Sequence, residues 1–211
     1  MDNSITQNSQ SQSGLSTSDC VEMLKLGNNR FTSNKAINRD LHAQVKETAS
    51  GQYPYAAIVS CIDSRIPTEV IFDQGIGDIF NARVAGNFVN VDILGSLEFA
   101  CKLAGSKLIV IMGHTSCGAV KGACDHAKLG NLTAMLEHIN PSVEAITTPE
   151  GEERSSKNID FVNKVAVENV KRTIQNIKDQ SVVLNDMYEA NEIDIVGAMY
   201  DVKTGGVTFI T

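Results

Sequence analysis

The chain has 211 residues, 42% of them hydrophobic, enough to bury one sizeable α/β core and too apolar for a disordered chain. Its 25 acidic and 18 basic side chains give a formal charge of −7, which argues against nucleic-acid partners and against an anionic lipid surface, since both call for a basic stripe. No apolar run approaches the ~18–20 residues that span a bilayer, so no membrane association is expected.

Residues 1–17 are polar, rich in Ser, Gln and Asn, and lack the basic start and apolar stretch of a signal peptide. They read as an unstructured tail before a single domain over 18–211. A cytoplasmic location is expected, or a periplasmic one if a signal peptide has been removed. Residues 19–31 carry Val21, Leu24 and Phe31 at helical spacing, with Ser18 or Asp19 as cap, and read as an N-terminal helical arm. Residues 56–63 are an apolar run ending in polar residues, the pattern of a buried parallel strand opening into a loop.

Residues 79–86 and 108–113 repeat that pattern, while 92–104, 116–128 and 158–180 have helical periodicity. The stretch 147–158 is a polar surface loop. The run 193–200, a turn at Lys203–Gly206 and then Val207–Ile210 read as a strand followed by an antiparallel edge strand. The fold expected is therefore α/β: a mostly parallel central sheet flanked by helices, with an antiparallel C-terminal edge strand.

Chemistry concentrates at two predicted strand ends. Cys61 and Asp63 close the first strand, with Arg65 two residues on, and His114 follows the 108–113 strand, with Cys117 in the next turn. In parallel sheets that edge is where ligands bind. A His and two Cys meeting there form a catalytic zinc set with one open position, whereas a closed structural site wants a fourth protein ligand. Asp63 could be that fourth ligand, or it could be held by Arg65 and accept a hydrogen bond from water at the metal.

The five cysteines, an odd number, do not read as a disulfide framework. Gly75-Ile76-Gly77 lacks the third glycine of a dinucleotide loop, and His42, His126 and His138 read as surface residues.

Taken in order, Cys61-x-Asp63-x-Arg65, then Arg83-Val84-Ala85-Gly86-Asn87, then Gly113-His114-Thr115-Ser116-Cys117-Gly118, resemble the beta class of carbonic anhydrases over roughly residues 20–210. The resemblance implies a Zn²⁺ held by Cys61, His114 and Cys117, reversible hydration of carbon dioxide to bicarbonate and a proton, and a homodimer that can pair into a tetramer. It makes Asp63 and Arg65 the dyad that orients the reacting water. Gln52, nine residues before Cys61, and Phe80, nineteen after it, correspond to substrate-positioning residues in a cleft built at the dimer interface.

Phe99 stands where many members have Tyr, which removes a hydroxyl from that cleft. Ile58 stands where the bicarbonate-inhibited subgroup has Trp, so the chain leans to the other subgroup. Two thiolates would neutralise Zn²⁺, so the activated water is expected to titrate between about 7 and the ~9 of aqueous zinc. Alternatives are a related zinc hydrolase such as a carbon disulfide hydrolase, or a non-catalytic zinc-stabilised binding or redox protein with Cys101 or Cys124 as fourth ligand.

Overall fold

The computed structural model describes residues 6–210. In chain order it contains α1 (Ser9–Gly14), α2 (Thr17–Thr32), α3 (Leu41–Thr48), β1 (Ala56–Ser60), α4 (Thr68–Ile71), β2 (Ile79–Arg83), α5 (Val91–Glu98), β3 (Leu108–His114), α6 (Gly118–Cys124), α7 (Gly130–Glu137), α8 (Asn140–Ala145), α9 (Ile159–Gln180), α10 (Val182–Glu189), β4 (Asp194–Tyr200) and β5 (Val207–Ile210). The strands form one sheet in the order β2-β1-β3-β4-β5. The first four are parallel and β5 runs antiparallel to β4.

Every residue of β1 and β3 is buried, as expected for parallel strands covered on both faces. One face packs Ala56, Ile58, Leu108, Val110 and Met112 against α2, α6 and the first half of α9. The other packs Ala57, Val59, Ile109 and Ile111 against α5, α10 and the second half of α9. Gly113 lets α9 lie close against the sheet: a Cβ there would come within 2.7 Å of Val170 Cγ2.

The chain leaves β1 toward β2 on one side and returns to β3 on the other. The strand order therefore reverses between β1 and β3, and a crevice opens at their carboxyl ends. Ser60 is level with Met112 across that boundary, so Cys61 falls one residue past the end of β1 and close to His114.

Four expectations shift in detail. The strand expected over 56–63 ends at Ser60, and the one over 79–86 ends at Arg83. The helix expected over 92–104 is α-helical to Glu98 and then widens into a π-helical turn, Phe99–Leu103. The arm begins at Thr17, not at 19, because Ser16 Oγ accepts from the Asp19 amide at 3.1 Å while Asp19 accepts from Ser16 N at 2.9 Å.

That arm packs on its own domain. Cys20 and Leu24 are fully buried in the first core cluster, and Asn28 ties it to Ile71 O and Gly205 O at 3.1 and 2.9 Å.

The segment expected as an unstructured tail is ordered where it is described: α1 is capped by Asn8, and Gln12 is buried. Its anchors are polar. Gln12 Nε2 donates to Pro54 O and Ala104 O at 2.8 Å each, and the Lys107 ammonium holds Ser13 O and Leu15 O. A composition poor in apolar residues does not reveal such anchors. Residues 1–5 of the expected tail lie outside the described residues.

Candidate metal centre

The crevice between β1 and β3 holds Cys61, His114 and Cys117, all three buried. Their ligand atoms lie within 4.8 Å of one another, and the two sulfurs are 4.0 Å apart. His114 is the last residue of β3, and Cys117 caps α6 after a tight turn. The turn is possible because Ser116 takes a left-handed backbone, φ +56°.

The imidazole is oriented by its Nδ1, which lies 2.9 Å from Thr115 O; with Nδ1–H donating there, Nε2 carries the free lone pair. Among the described residues, buried Nε2 has no hydrogen-bond partner. A buried orphan nitrogen is costly in a closed protein interior and natural in a metal ligand.

The sulfurs titrate as a pair. Cys61 is pulled far below the usual thiol range, first by the hydrogen bond from Cys117 and then by His114 and the Gly86 amide, against the opposing effect of burial. Cys117 is pushed up by that same partner and by burial, while the Val120 and Ala119 amides at the start of α6 act the other way. A metal ion here would take both sulfurs as thiolate ligands. The set of two thiolates and one imidazole suits a tetrahedral ion with one position left open.

Asp63 sits beside this group, its Oδ2 4.0 Å from His114 Nε2. Arg65 grips it with two bonds, Nε to Oδ1 at 2.9 Å and Nη2 to Oδ2 at 2.7 Å, and adds its own amide to Oδ1 at 2.9 Å. The Arg65 hydrogen bonds hold the carboxyl well below the usual carboxylate range, so it stays an ionised acceptor. The alternation expected of a strand does not place it, since residues 61–63 are irregular. The fork of Arg65 does that instead.

Arg83 carries no individual signal in the sequence. From the end of β2 it donates to Cys61 O at 2.9 Å and Asp63 O at 2.6 Å, bracing the loop that carries both. Its only signal in the sequence was its place in the Arg83–Asn87 motif.

Two expected site residues lie elsewhere. Gln52 is exposed, between α3 and the start of β1, at the opposite edge of the sheet from Cys61. Phe80 is level with Ala57 on β2 and packs with the second core cluster, whereas Cys61 and Cys117 belong to the first. Its ring meets Phe99 edge-on at 6.2 Å, and the two line a surface groove with Val91 and Gly95. His42, His126 and His138 are exposed as expected. Among the described residues neither Cys101 nor Cys124 joins the ligand group, and no helix is long and apolar enough to cross a membrane.

Comparison with known proteins agrees with this geometry. The family model described as carbonic anhydrase matches residues 56–207. The protein named carbonic anhydrase 2 of Mycobacterium tuberculosis is 32% identical over 188 residues, covering 86% of this chain and 87% of its own. The crystal structure of the beta-carbonic anhydrase CafA of Aspergillus fumigatus superposes with a TM-score of 0.68 at 28% identity, covering 88% of each chain. One of two tetrameric beta-carbonic anhydrases of Sordaria macrospora shares the fold at 22% identity, TM-score 0.70, over 91% of this chain and 97% of its own. The chain belongs to the carbonic anhydrase family, in its beta class.

Proposed function

We infer that this protein catalyses the reversible hydration of carbon dioxide to bicarbonate and a proton, with one Zn²⁺ held by Cys61, His114 and Cys117. What carries this reading is the buried Cys-His-Cys group next to a carboxylate locked in its ionised form. When bound, Zn²⁺ supplies the Lewis acidity that makes water a nucleophile near neutral pH.

The protein's own residues do the orienting. Asp63, an acceptor fixed by Arg65, takes a hydrogen bond from the reacting water and turns a lone pair toward the carbon of CO₂. Arg83 keeps Cys61 and Asp63 in fixed relation by holding both carbonyls. Thr115 O keeps Nε2 of His114 directed inward.

Gln52 and Phe80 are proposed to serve the site of a second copy. The groove beside Phe80 and Phe99 has a volume of about 640 Å³, far more than CO₂ needs. Val91 and Phe99, which line it, are 80% and 52% exposed. Such an apolar surface fits a homodimer, where Gln52 could donate to a CO₂ oxygen as it gains charge. Pairing of dimers into a tetramer is proposed on the likeness to the tetrameric Sordaria proteins.

The test is CO₂-hydration rate and zinc content on the same preparation, before and after chelation. Activity that tracks zinc is expected. A fully metallated protein inert toward CO₂ across the accessible pH range refutes this reading, and turnover of carbon disulfide instead would favour the related hydrolase.

A further inference from the structure

Helix α9 presents a mainly apolar face to the core: Phe161, Val162, Val165, Ala166, Val170 and Ile177 are buried. Asn169 is buried in that same stripe, 2% exposed. An amide among such neighbours costs free energy unless its bonds are made. Its partners are specific: Nδ2 donates to Gly86 O at 2.7 Å, and Oδ1 accepts from Ser142 Oγ at 3.4 Å.

Gly86 is the residue whose amide donates to Cys61 Sγ at 3.4 Å. It has little freedom to be anything else. Its φ is +85°, and a Cβ there would come within 2.4 Å of Ile139 Cδ1.

Nearer its start, α9 makes a second bond of the same kind. Asn163 Oδ1 accepts from Ser116 N at 2.9 Å. Ser116 is the left-handed residue between His114 and Cys117, a conformation that costs a non-glycine residue free energy unless its surroundings hold it. Neither bond belongs to the secondary structure of α9 or of the sheet. Each ends on a backbone group of a loop that carries or touches a sulfur of the metal centre.

We propose that Asn163 and Asn169 are positioning residues for the metal, through which α9 sets the turn bearing Cys117 and the amide that bonds Cys61. Asn163 holds the Ser116 amide and so fixes where Cys117 emerges. Asn169 holds the Gly86 carbonyl and so fixes where the neighbouring amide points, toward the Cys61 thiolate. Groups that orient ligands in this way are worth about 10–100-fold in metal affinity when removed. The proposal rests on the zinc reading above and extends it to residues outside the motifs that carry the resemblance.

The experiment measures zinc affinity by chelator competition on the full chain, for wild type, Asn169→Ala, Asn163→Ala and Ile177→Ala. The Co²⁺-substituted proteins are compared through their thiolate-to-cobalt charge-transfer bands. Ile177 is buried on the same helix but belongs to the second core cluster, whereas Cys61 and Cys117 belong to the first, so it controls for a general loosening of α9. Both asparagine variants should lose about 10–100-fold in zinc affinity and shift the cobalt band. Ile177→Ala should melt earlier with affinity and band unchanged.

Asparagine variants that hold zinc as tightly as Ile177→Ala, with an unshifted band, overturn the proposal. If Asn169→Ala does not fold, Asn163→Ala decides alone, since Asn163 is only half-buried. A wild-type chain that binds no zinc would instead sink the assignment of the metal centre itself.

Discussion

At the carboxyl tips of β1 and β3, Cys61, His114 and Cys117 are buried together by one chain. Beside β2, Phe80 and Phe99 line a groove that one chain leaves open, and Gln52 stands at the far edge of the sheet. The first region is complete because its parts hang from adjacent buried strands whose register is set by packing on both faces. The second consists of residues at a surface groove and at the far edge of the sheet that, among the described residues, do not join the ligand group. Metal binding should therefore be a property of the single fold, and turnover, on the proposed pairing of two copies, a property of the dimer.

The sharpest break would come from Cys117→Ser. A hydroxyl does not supply the thiolate ligand, so zinc and hydration activity should both fall to background, read by metal analysis and a CO₂-hydration assay. Zinc retained at one per chain would mean the group is not the centre. Asp63→Asn should separate binding from chemistry: zinc stays near one per chain while hydration drops by about 10²-fold or more, because the reacting water loses its orienting acceptor. Loss of zinc in that variant would make Asp63 a ligand after all.

The groove is probed by Val91→Glu combined with Phe99→Glu. Light scattering should show a smaller species, with zinc retained and hydration at least tenfold lower. An active monomer would end the idea that a second copy finishes the cleft.

The pH behaviour sharpens the contrast further. The folded pKa of Asp63 is depressed, chiefly by the Arg65 hydrogen bonds. Its contribution to stability is thus complete above the unfolded value of about 3.9 and is lost only as pH falls through the lower folded value. A carbon-13 titration of that carboxyl should show no inflection between pH 4 and 8. Any loss of hydration within that range then comes from elsewhere. With two thiolates on the ion, the rate should rise with a midpoint between about pH 7 and 9.

The smallest effect is expected at the anchor of α1. Gln12→Ala leaves Ala104 O without its donor and should cost about 1–3 kcal/mol in denaturant unfolding while hydration is unchanged.

Much of the site could be read from residue order. Cys61 and His114 each follow an apolar run too short for a helix and bounded by polar residues, so both could be placed at strand tips. The spacing of Asp63 and Arg65 suggested a held carboxylate, and the structure forms that pair. Arg83, Asn163 and Asn169 were not legible as individual contributors. Each acts through a hydrogen bond to the backbone of a segment 20 to 83 residues away, and no local pattern encodes such a partner. The ordering of α1 escaped for the same reason, since it depends on carbonyls at Pro54 and Ala104.

By itself, then, the sequence determined the alternation of buried strands and amphipathic helices and the donor atoms at the strand ends, because apolar periodicity and side-chain chemistry are local properties of a chain. Only the tertiary structure decided that the three donors share one crevice, which nitrogen of His114 faces them, and that Gln52 and Phe80 do not reach them within one chain. Those outcomes follow from strand order, register and long-range hydrogen bonds, which arise when distant segments pack and which no short stretch of residues specifies alone.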